Sequence, residues 1–382
     1  MLINNWYVLG LSDELGDTPV AARALGQDFV LFRDVDGRAH CLANTCVHKG
    51  GSLCRGKTIG GAVQCPYHGW RFDGDGRCIE IPSLGPQRRI PKRARVDAYP
   101  TQEQWGWIWV FLGDLPESER PALPDFFPEL DAADPGWRFN RGQAQFRCNW
   151  VRAIENGVDR SHAVFVHTDF GNPERKVVAE YEVVDDGQSL YVRGASKPLD
   201  KRGAWREAIP DRRDERENEV RIYLRAPCIR IQMHMQPPKS QIIVTAYTPL
   251  EEGLTQLRFI QARNFLTDPA YDEDALNRVY FVIKEDAAVL DHLKPVRVPP
   301  SLADELLLEN DKHGTLFRQR VKELDARGWA IDTLAMRDEI DRVRAIPCPA
   351  RRADPRNWVQ RPVLLRPPAA GERGAAQGWH SG

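Results

Sequence analysis

From Cys46 to Trp70 the chain reads CVHKGGSLCRGKTIGGAVQCPYHGW. Two short segments within it, Cys46-Val47-His48 and Cys65-Pro66-Tyr67-His68, each carry one thiol and one imidazole, and 16 residues separate them. Zinc fingers place their two cysteines together and their two histidines together. Here the two types are interleaved. That order suits a [2Fe-2S] cluster in which one iron takes two thiolates and the other two neutral imidazoles, an exchange that reduces the cluster's negative charge and raises its potential. Gly50, Gly51 and Gly69 let the backbone turn tightly around the sulfurs and aim N–H groups at them. Cys46, His48, Cys65 and His68 are the expected ligands. The other six of the eight cysteines (Cys41, Cys54, Cys78, Cys148, Cys228 and Cys348) have no such partners and are expected to be packing residues.

Outward from this stretch, residues 1–117 read as short strands separated by Gly and Pro. Phe29–Phe32 is apolar and β-prone, Asp34–Arg38 (DVDGR) carries an Asp-Gly turn signal, and Trp105–Leu112 (WGWIWVFL) has the density of a buried strand. Leu115–Pro128, with four prolines, suits a connector. Beyond it, Ser189–Val192, Val220–Leu224, Ile229–Met235, Gln241–Thr248 and Gln256–Arg263 read as strands of one antiparallel sheet, and Ala275–Leu293 as a long helix. The expected domains are 1–117 and 118–365, with 366–382, rich in Pro, Ala and Gly, as a disordered tail. Asp211–Glu219 (DRRDERENE) is expected to be a solvated loop. With 53 basic and 54 acidic residues the chain has no global charge for nucleic acid or an anionic membrane. It has no run of 18 apolar residues and no basic-then-apolar leader at Met1–Gly10, so a cytoplasmic protein is expected.

A second cluster of chemistry lies at Asn149–Asp169 (NWVRAIENGVDRSHAVFVHTD). Asn156, Asp159 and His162 fall in an i, i+3, i+6 row on one side of a helix, and His167 follows five residues later. An i, i+5 pair on a regular helix is turned by about 140°, so His162 and His167 share a metal only if the helix bulges or ends between them. We expect that irregularity near Ala163–Val166. Two histidines call for a third ligand, and an iron that must leave positions open for oxygen favours a carboxylate. On the late helix the apolar stripe Val279, Ile283, Leu290 and Leu293 is interrupted by Asp286, and a carboxylate there needs a metal or a salt bridge. Glu285 and Asp291 lie off the stripe and read as solvated.

Cys46-x-His48, Cys65-x2-His68-Gly69-Trp70 and the Gly74–Pro82 segment (GDGRCIEIP) resemble the Rieske domain of the ring-hydroxylating and demethylating Rieske non-haem iron oxygenases. Asn156-x2-Asp159-x2-His162-x4-His167 resembles that family's mononuclear-iron motif, and Glu285-Asp286 the segment that supplies its carboxylate ligand. The resemblance spans residues 46 to 286. It implies an α+β chain: an N-terminal all-β Rieske [2Fe-2S] domain, then a helix-grip catalytic domain with an antiparallel sheet around a long helix. It further implies Fe(II) on His162, His167 and Asp286, and Asn156 near the iron. Asp159 would bridge His162 to the cluster ligand His68 of a neighbouring subunit in a homotrimer.

The implied activity is that of a terminal oxygenase, more a monooxygenase or demethylase than a dioxygenase, acting on a small organic, aromatic or polycyclic substrate with O2. No Gly-x-Gly-x-x-Gly fingerprint follows a strand, so electrons from NAD(P)H come through a separate reductase, directly or by way of a ferredoxin. Arg88-Arg89 with Lys92-Arg93-Arg95 is a candidate docking surface for it, or a solvated strand edge. The alternative function is a Rieske electron carrier or binding protein with a non-functional second metal site. Ile229–Met235 alternates, with Ile231, Met233 and Met235 on one side and Arg230, Gln232 and His234 on the other. Which side faces the iron decides whether the pocket is apolar or polar.

Overall fold

The computed structural model describes residues 1–128, 130, 136–168, 176–196, 204–209, 216–235, 238–339 and 341–369. The chain forms two compact units, Met1–Ala122 together with the chain from Glu323 onward, and Leu123–Lys322.

Up to Ala122 the first unit is built from three antiparallel sheets, and its later part adds a short parallel pair, Arg344–Ala345 with Arg361–Pro362. The first sheet orders β1 (Asn5–Leu11), β11 (Trp107–Leu112) and β10 (Thr101–Gln104). The second orders β2 (Val20–Ala24), β3 (Gln27–Arg33), β4 (Ala39–Ala43) and β9 (Ala98–Tyr99). The third orders β5 (Lys57–Ile59), β6 (Ala62–Gln64), β7 (Arg71–Phe72) and β8 (Cys78–Glu80). Every residue of β11 is buried, as its aromatic and branched composition requires. The β3–β4 hairpin closes where the Asp-Gly signal lies: Asp34 Oδ1 accepts from the Asp36 and Arg38 N–H groups at 2.9 Å, and Gly37 adopts φ +77°.

The expected second domain gives up its last part to this unit. Ile331, Ile346, Cys348, Trp358 and Val363 are buried in one cluster with Tyr7, Phe29, Tyr99 and Val110. Tyr99 donates to the Ile346 carbonyl at 2.8 Å, and the buried Arg351 guanidinium pairs with the fully buried Asp97. The apolar residues of this return segment come in runs of at most three among Arg, Pro and Asp, too short for a periodic signal to mark it. The expected tail is also held at its start, since the Arg366 and Ala369 N–H groups each bond an upstream carbonyl, of Ala330 and Ala326, at 2.8 Å. Residues 370–382 lie outside the described residues.

The second unit is a seven-stranded antiparallel sheet with helices on one face. Its order is β12 (Arg138–Phe146), β18 (Leu254–Arg263), β17 (Ser240–Glu251), β16 (Cys228–His234), β15 (Arg216–Tyr223), β14 (Ser189–Ser196) and β13 (Val184–Asp185). Arg216–Glu219, the end of the charge run, is therefore strand, with the Glu219 carboxylate accepting from Arg193 and Arg221. Residues 210–215 are not among those described.

The pairings Ile222↔Ile229↔Thr245↔Phe259↔Gly142 put these side chains on a common face. Two helices cover it, α1 (Trp150–Val158) and α4 (Asp272–Leu290). A Cβ on Gly157 of α1 would lie 2.5 Å from Ile229 Cδ1 and 2.9 Å from the Tyr247 hydroxyl, and one on Gly142 would lie 2.5 Å from the Tyr280 hydroxyl of α4. Glycine at these positions lets helix and sheet approach. By the same register Ile231 and Met233 share the helix side, while Arg230 faces away and donates to the Phe126 carbonyl at 3.0 Å. The face toward the helices is therefore the apolar one.

His313, on α5 (Lys312–Leu324), is 2% exposed with Nε2 3.1 Å from the Leu190 carbonyl. Burial lowers its pKa to about 4. Because the folded value lies below the ordinary one near 6.5, the unfolded chain takes the proton first. This contribution is complete above about pH 6.5 and shrinks as pH falls toward 4, by about 2 kcal/mol at pH 5. The unfolding midpoint of His313→Gln is expected to drop less between pH 7 and pH 5 than that of the parent. Parallel drops would contradict this.

Candidate metal centres

In the first unit the two ligand segments fold into loops of matching construction. Cys46 N–H bonds the Gly51 carbonyl at 2.8 Å and Gly50 N–H returns to Cys46 O at 3.1 Å; Cys65 N–H bonds the Trp70 carbonyl at 2.8 Å and Gly69 N–H returns to Cys65 O at 3.1 Å. Gly50 and Gly69 both sit in the left-handed region, with φ +71° and +72°. A Cβ on Gly51 would lie 2.7 Å from Cys65 Sγ, so this position admits only glycine without displacing the sulfur.

These loops bring the four residues together. The His48 and His68 rings lie 4.3 Å apart, and His48 stacks on Trp70 with 4.7 Å between centroids and 7° between planes. Cys46 and Cys65 are each 2% exposed, whereas His68 lies on the surface. Burial pushes the Cys46 thiol up to about 12, with the neighbouring Cys65 adding to the rise. Two buried sulfurs beside a pair of imidazoles need cations to balance them as thiolates, so the donor set fits an iron–sulfur cluster. Cys41, Cys78, Cys148, Cys228 and Cys348 are buried, and Cys54 is half-buried beside Ser52 Oγ at 3.3 Å.

In the second unit the expected helical row is broken earlier than its spacing implies. Helix α1 starts at an Asn149 cap, whose Oδ1 accepts from Val151 N–H at 3.0 Å, and stops at Val158. Asp159 is extended, at φ −71° and ψ 125°, and its carboxylate accepts from the N–H groups of Ser161 (2.7 Å) and His162 (3.2 Å). That side chain ends one helix and starts the next, α2 (Ala163–Val166), a single turn flanked by His162 and His167. The row breaks first at Asp159–Ser161, and the irregularity expected between His162 and His167 is the end of α2 at Val166, after which His167 is extended at φ −93° and ψ 112°.

The result is a compact donor triangle. His162 Nε2 lies 3.2 Å from His167 Nε2, and each lies 3.4 Å from Asp286 Oδ1. Such a triangle has corners about 1.9 Å from its centre, within reach of the roughly 2.0–2.2 Å bonds that first-row metals make to N and O. Asp286 Oδ1 is buried and makes no hydrogen bond, as an atom reserved for a metal would be. Burial works against a charged His162, yet Asp159 and Asp286 raise its pKa to about 9. Burial likewise raises Asp159, but its bonds to His162 and to the Ser161 N–H outweigh this and leave it below the usual carboxylate range. Both shifts describe a site built around positive charge, and these residues fit a divalent metal. Asn156 lies on α1 and is half-buried.

Glu285 was expected to be solvated; instead, its Oε2 lies 3.1 Å from His167 Nδ1 and its Oε1 accepts from Thr168 N–H at 3.0 Å and Thr168 Oγ1 at 2.6 Å. Asp291 is exposed as expected and accepts from Arg147 N–H at 2.9 Å. A buried ion network also escaped the sequence. Arg318 of α5 bonds Glu155 of α1 (Nη2–Oε2 2.7 Å) and Glu305 (2.5 Å), and Arg152 bonds the other oxygen of Glu305 (2.5 Å). Arg318→Met would leave Glu155 buried and unpaired, at an expected cost of about 3–5 kcal/mol read by denaturant unfolding. A change under about 1 kcal/mol would show that the network contributes little.

Comparison with known proteins agrees with this arrangement. The model of the Rieske [2Fe-2S] domain matches residues 5–100, and that of the vanillate O-demethylase oxygenase C-terminal domain matches residues 146–327. The oxygenase component of dicamba O-demethylase from Stenotrophomonas maltophilia is 30% identical over 319 residues, 76% of this chain and 87% of that protein. The 4beta-methylsterol monooxygenase of Methylococcus capsulatus is 38% identical over 218 residues, 53% of this chain and 58% of that one. In fold the chain is similar to NdmA of Pseudomonas putida CBB5 solved with caffeine: TM-score 0.71, 23% identity, 83% of this chain and 89% of that one. Among the described residues no helix is long and apolar enough to cross a membrane. With one unit bearing the Cys/His loops and the other the two-histidine, one-carboxylate triangle, the chain belongs to the Rieske non-haem iron oxygenases, as an oxygenase component with a [2Fe-2S] cluster and a mononuclear iron site.

Proposed function

We propose that this oxygenase demethylates or hydroxylates a small, largely apolar aromatic substrate, with an O- or N-methyl group as the favoured target. The observation that carries the reading is the triangle of His162, His167 and Asp286, with Asp286 borne on α4, one of the two helices that cover the apolar face formed by Ile229, Ile231, Met233, Ile243 and Phe259. The kinship with dicamba O-demethylase supports demethylation. In that reaction one atom of O2 enters a substrate C–H bond and the other leaves as water, with two electrons and two protons supplied from outside; a methyl ether then falls apart into an alcohol or phenol and formaldehyde.

His162, His167 and Asp286 would hold the iron, and Cys46, Cys65, His48 and His68 the cluster. When bound, the cluster supplies single electrons and Fe(II) supplies oxygen activation. The protein's own contribution is orientation. Asp159 holds the His162 main chain, lies 3.4 Å from His162 Nδ1 and keeps 32% of its side chain exposed. That exposed portion is free to accept a hydrogen bond from the surface-borne His68 of a neighbouring copy, in a ring of three. Asn156 would border the iron from α1.

Electrons would arrive from a separate reductase. Arg88, Arg89, Lys92 and Arg93 are exposed and available to dock it, whereas Arg95 is withdrawn into a stack on Trp358 at 4.0 Å. Product analysis with 18O-labelled O2 over methoxy-aromatic, N-methyl-heterocyclic and sterol substrates tests the reading. It predicts label in formaldehyde or in a single hydroxyl; two labelled hydroxyls on one ring would make the protein a dioxygenase instead.

A further inference from the structure

We propose that Glu285 is a positioning residue for the mononuclear metal. Its carboxylate holds His167 in the tautomer and orientation that leave Nε2 for the ion. The inference rests on reading His162, His167 and Asp286 as metal ligands, and deepens it by assigning the group that aims one of them.

Both nitrogens of the His167 ring have defined places. Nε2 faces the donor triangle, 3.2 Å from His162 Nε2 and 3.4 Å from Asp286 Oδ1. Nδ1 lies 3.1 Å from Glu285 Oε2, in a ring only 4% exposed. A carboxylate can only accept, so the proton sits on Nδ1 and the lone pair on Nε2. The other oxygen of Glu285 is held by the N–H and the hydroxyl of Thr168, the residue next to the ligand. Ring and main chain are thus gripped together.

The local backbone explains why such a grip is needed. His167 follows a helix of one turn and is already extended, at φ −93° and ψ 112°. Helix periodicity does not fix its direction. Glu285 and Asp286 are consecutive on α4, about 100° apart around its axis, so they cannot face one point side by side. The helix presents Asp286 to the metal and Glu285 to the far side of the histidine. A carboxylate behind an imidazole also makes it a stronger base toward a cation, and loss of such outer partners typically weakens metal binding 10–100-fold.

The test uses the full-length protein with its cluster intact and the mononuclear site emptied by a chelator. Affinity for Fe(II), and for Co(II) as a spectroscopic probe, is measured by chelator competition in the parent, Glu285→Ala, Glu285→Gln and Thr168→Val. We expect Glu285→Ala to bind both metals about 10–100-fold more weakly, with a shifted Co(II) ligand-field spectrum. Glu285→Gln keeps an oxygen for Nδ1–H and should recover most of the affinity and the parent spectrum; Thr168→Val, which frees one hold on the carboxylate, should lose a few-fold. The cluster absorbance and the unfolding midpoint report whether each variant is folded. The proposal is overturned if folded variants bind both metals as tightly as the parent with unchanged spectra, or if Gln is no better than Ala. A parent that takes up neither metal would instead overturn the ligand assignment itself.

Discussion

Asp286→Ala should purify with its [2Fe-2S] cluster and without its mononuclear iron. Of the three donors, Asp286 alone carries a formal charge to neutralise the cation, and its buried Oδ1 has no hydrogen-bond partner that could take over. The two histidines left behind offer neutral nitrogens 3.2 Å apart, a weak site for Fe(II). Because removal of an outer partner already costs 10–100-fold in affinity or activity, loss of a ligand should lower turnover by well over about 100-fold. The cluster lies in the other unit, and its visible absorbance should be unchanged. Iron analysis and oxygen-uptake assays check both halves. An Asp286→Ala enzyme with parental iron and turnover would remove the carboxylate from the site.

The second large effect concerns Asp159. Asp159→Asn is expected to keep both metal centres and lose most of its turnover with a reductase, about 100-fold or more by the same measure of an orienting carboxylate. The structure dictates the choice of variant. Asp159 accepts from the Ser161 and His162 N–H groups, so an alanine would also unfasten the turn that starts α2, at about 1–2 kcal/mol as for a lost helix cap. Asparagine retains an oxygen for those bonds and removes the charge that faces His162 and would face His68. Asp159→Asn with parental turnover would contradict the bridging role, whereas loss of iron from it would mark Asp159 as a structural residue of the metal site.

How much of this was legible in the sequence differed from residue to residue. The cluster loops were open to reading because their ligands are near neighbours and their glycines are forced by local geometry, Gly50 and Gly69 at positive φ and Gly51 against a sulfur. Asp286 showed itself as a charge on an apolar stripe. Glu285 did not, since its partner His167 is 118 residues away and no helix period encodes such a bond. The helical row through Asn156, Asp159 and His162 had the right spacing for one continuous helix, and the competing Asx-type bonds of Asp159 overrode it. Strand β12 was missed because RFNRGQAQF has little apolar alternation. At its start Arg138 is instead held by a polar bond, to the Asp272 carboxylate at the start of α4. The return of the chain after Glu323 into the first unit was invisible for a similar reason, because short apolar runs such as those at Trp358 and Ile346 find their places only in three dimensions.

The central claim is that one chain carries a cluster and a separate mononuclear iron. The most direct measurement is iron and acid-labile sulfide per chain after anaerobic reconstitution, with electron paramagnetic resonance of the reduced protein. This account predicts about three irons and two sulfides per chain, a reduced-cluster signal of the Rieske type, and loss of one iron alone in Asp286→Ala. Two irons and two sulfides in the fully reconstituted parent, or a colourless zinc protein without that signal, would contradict it.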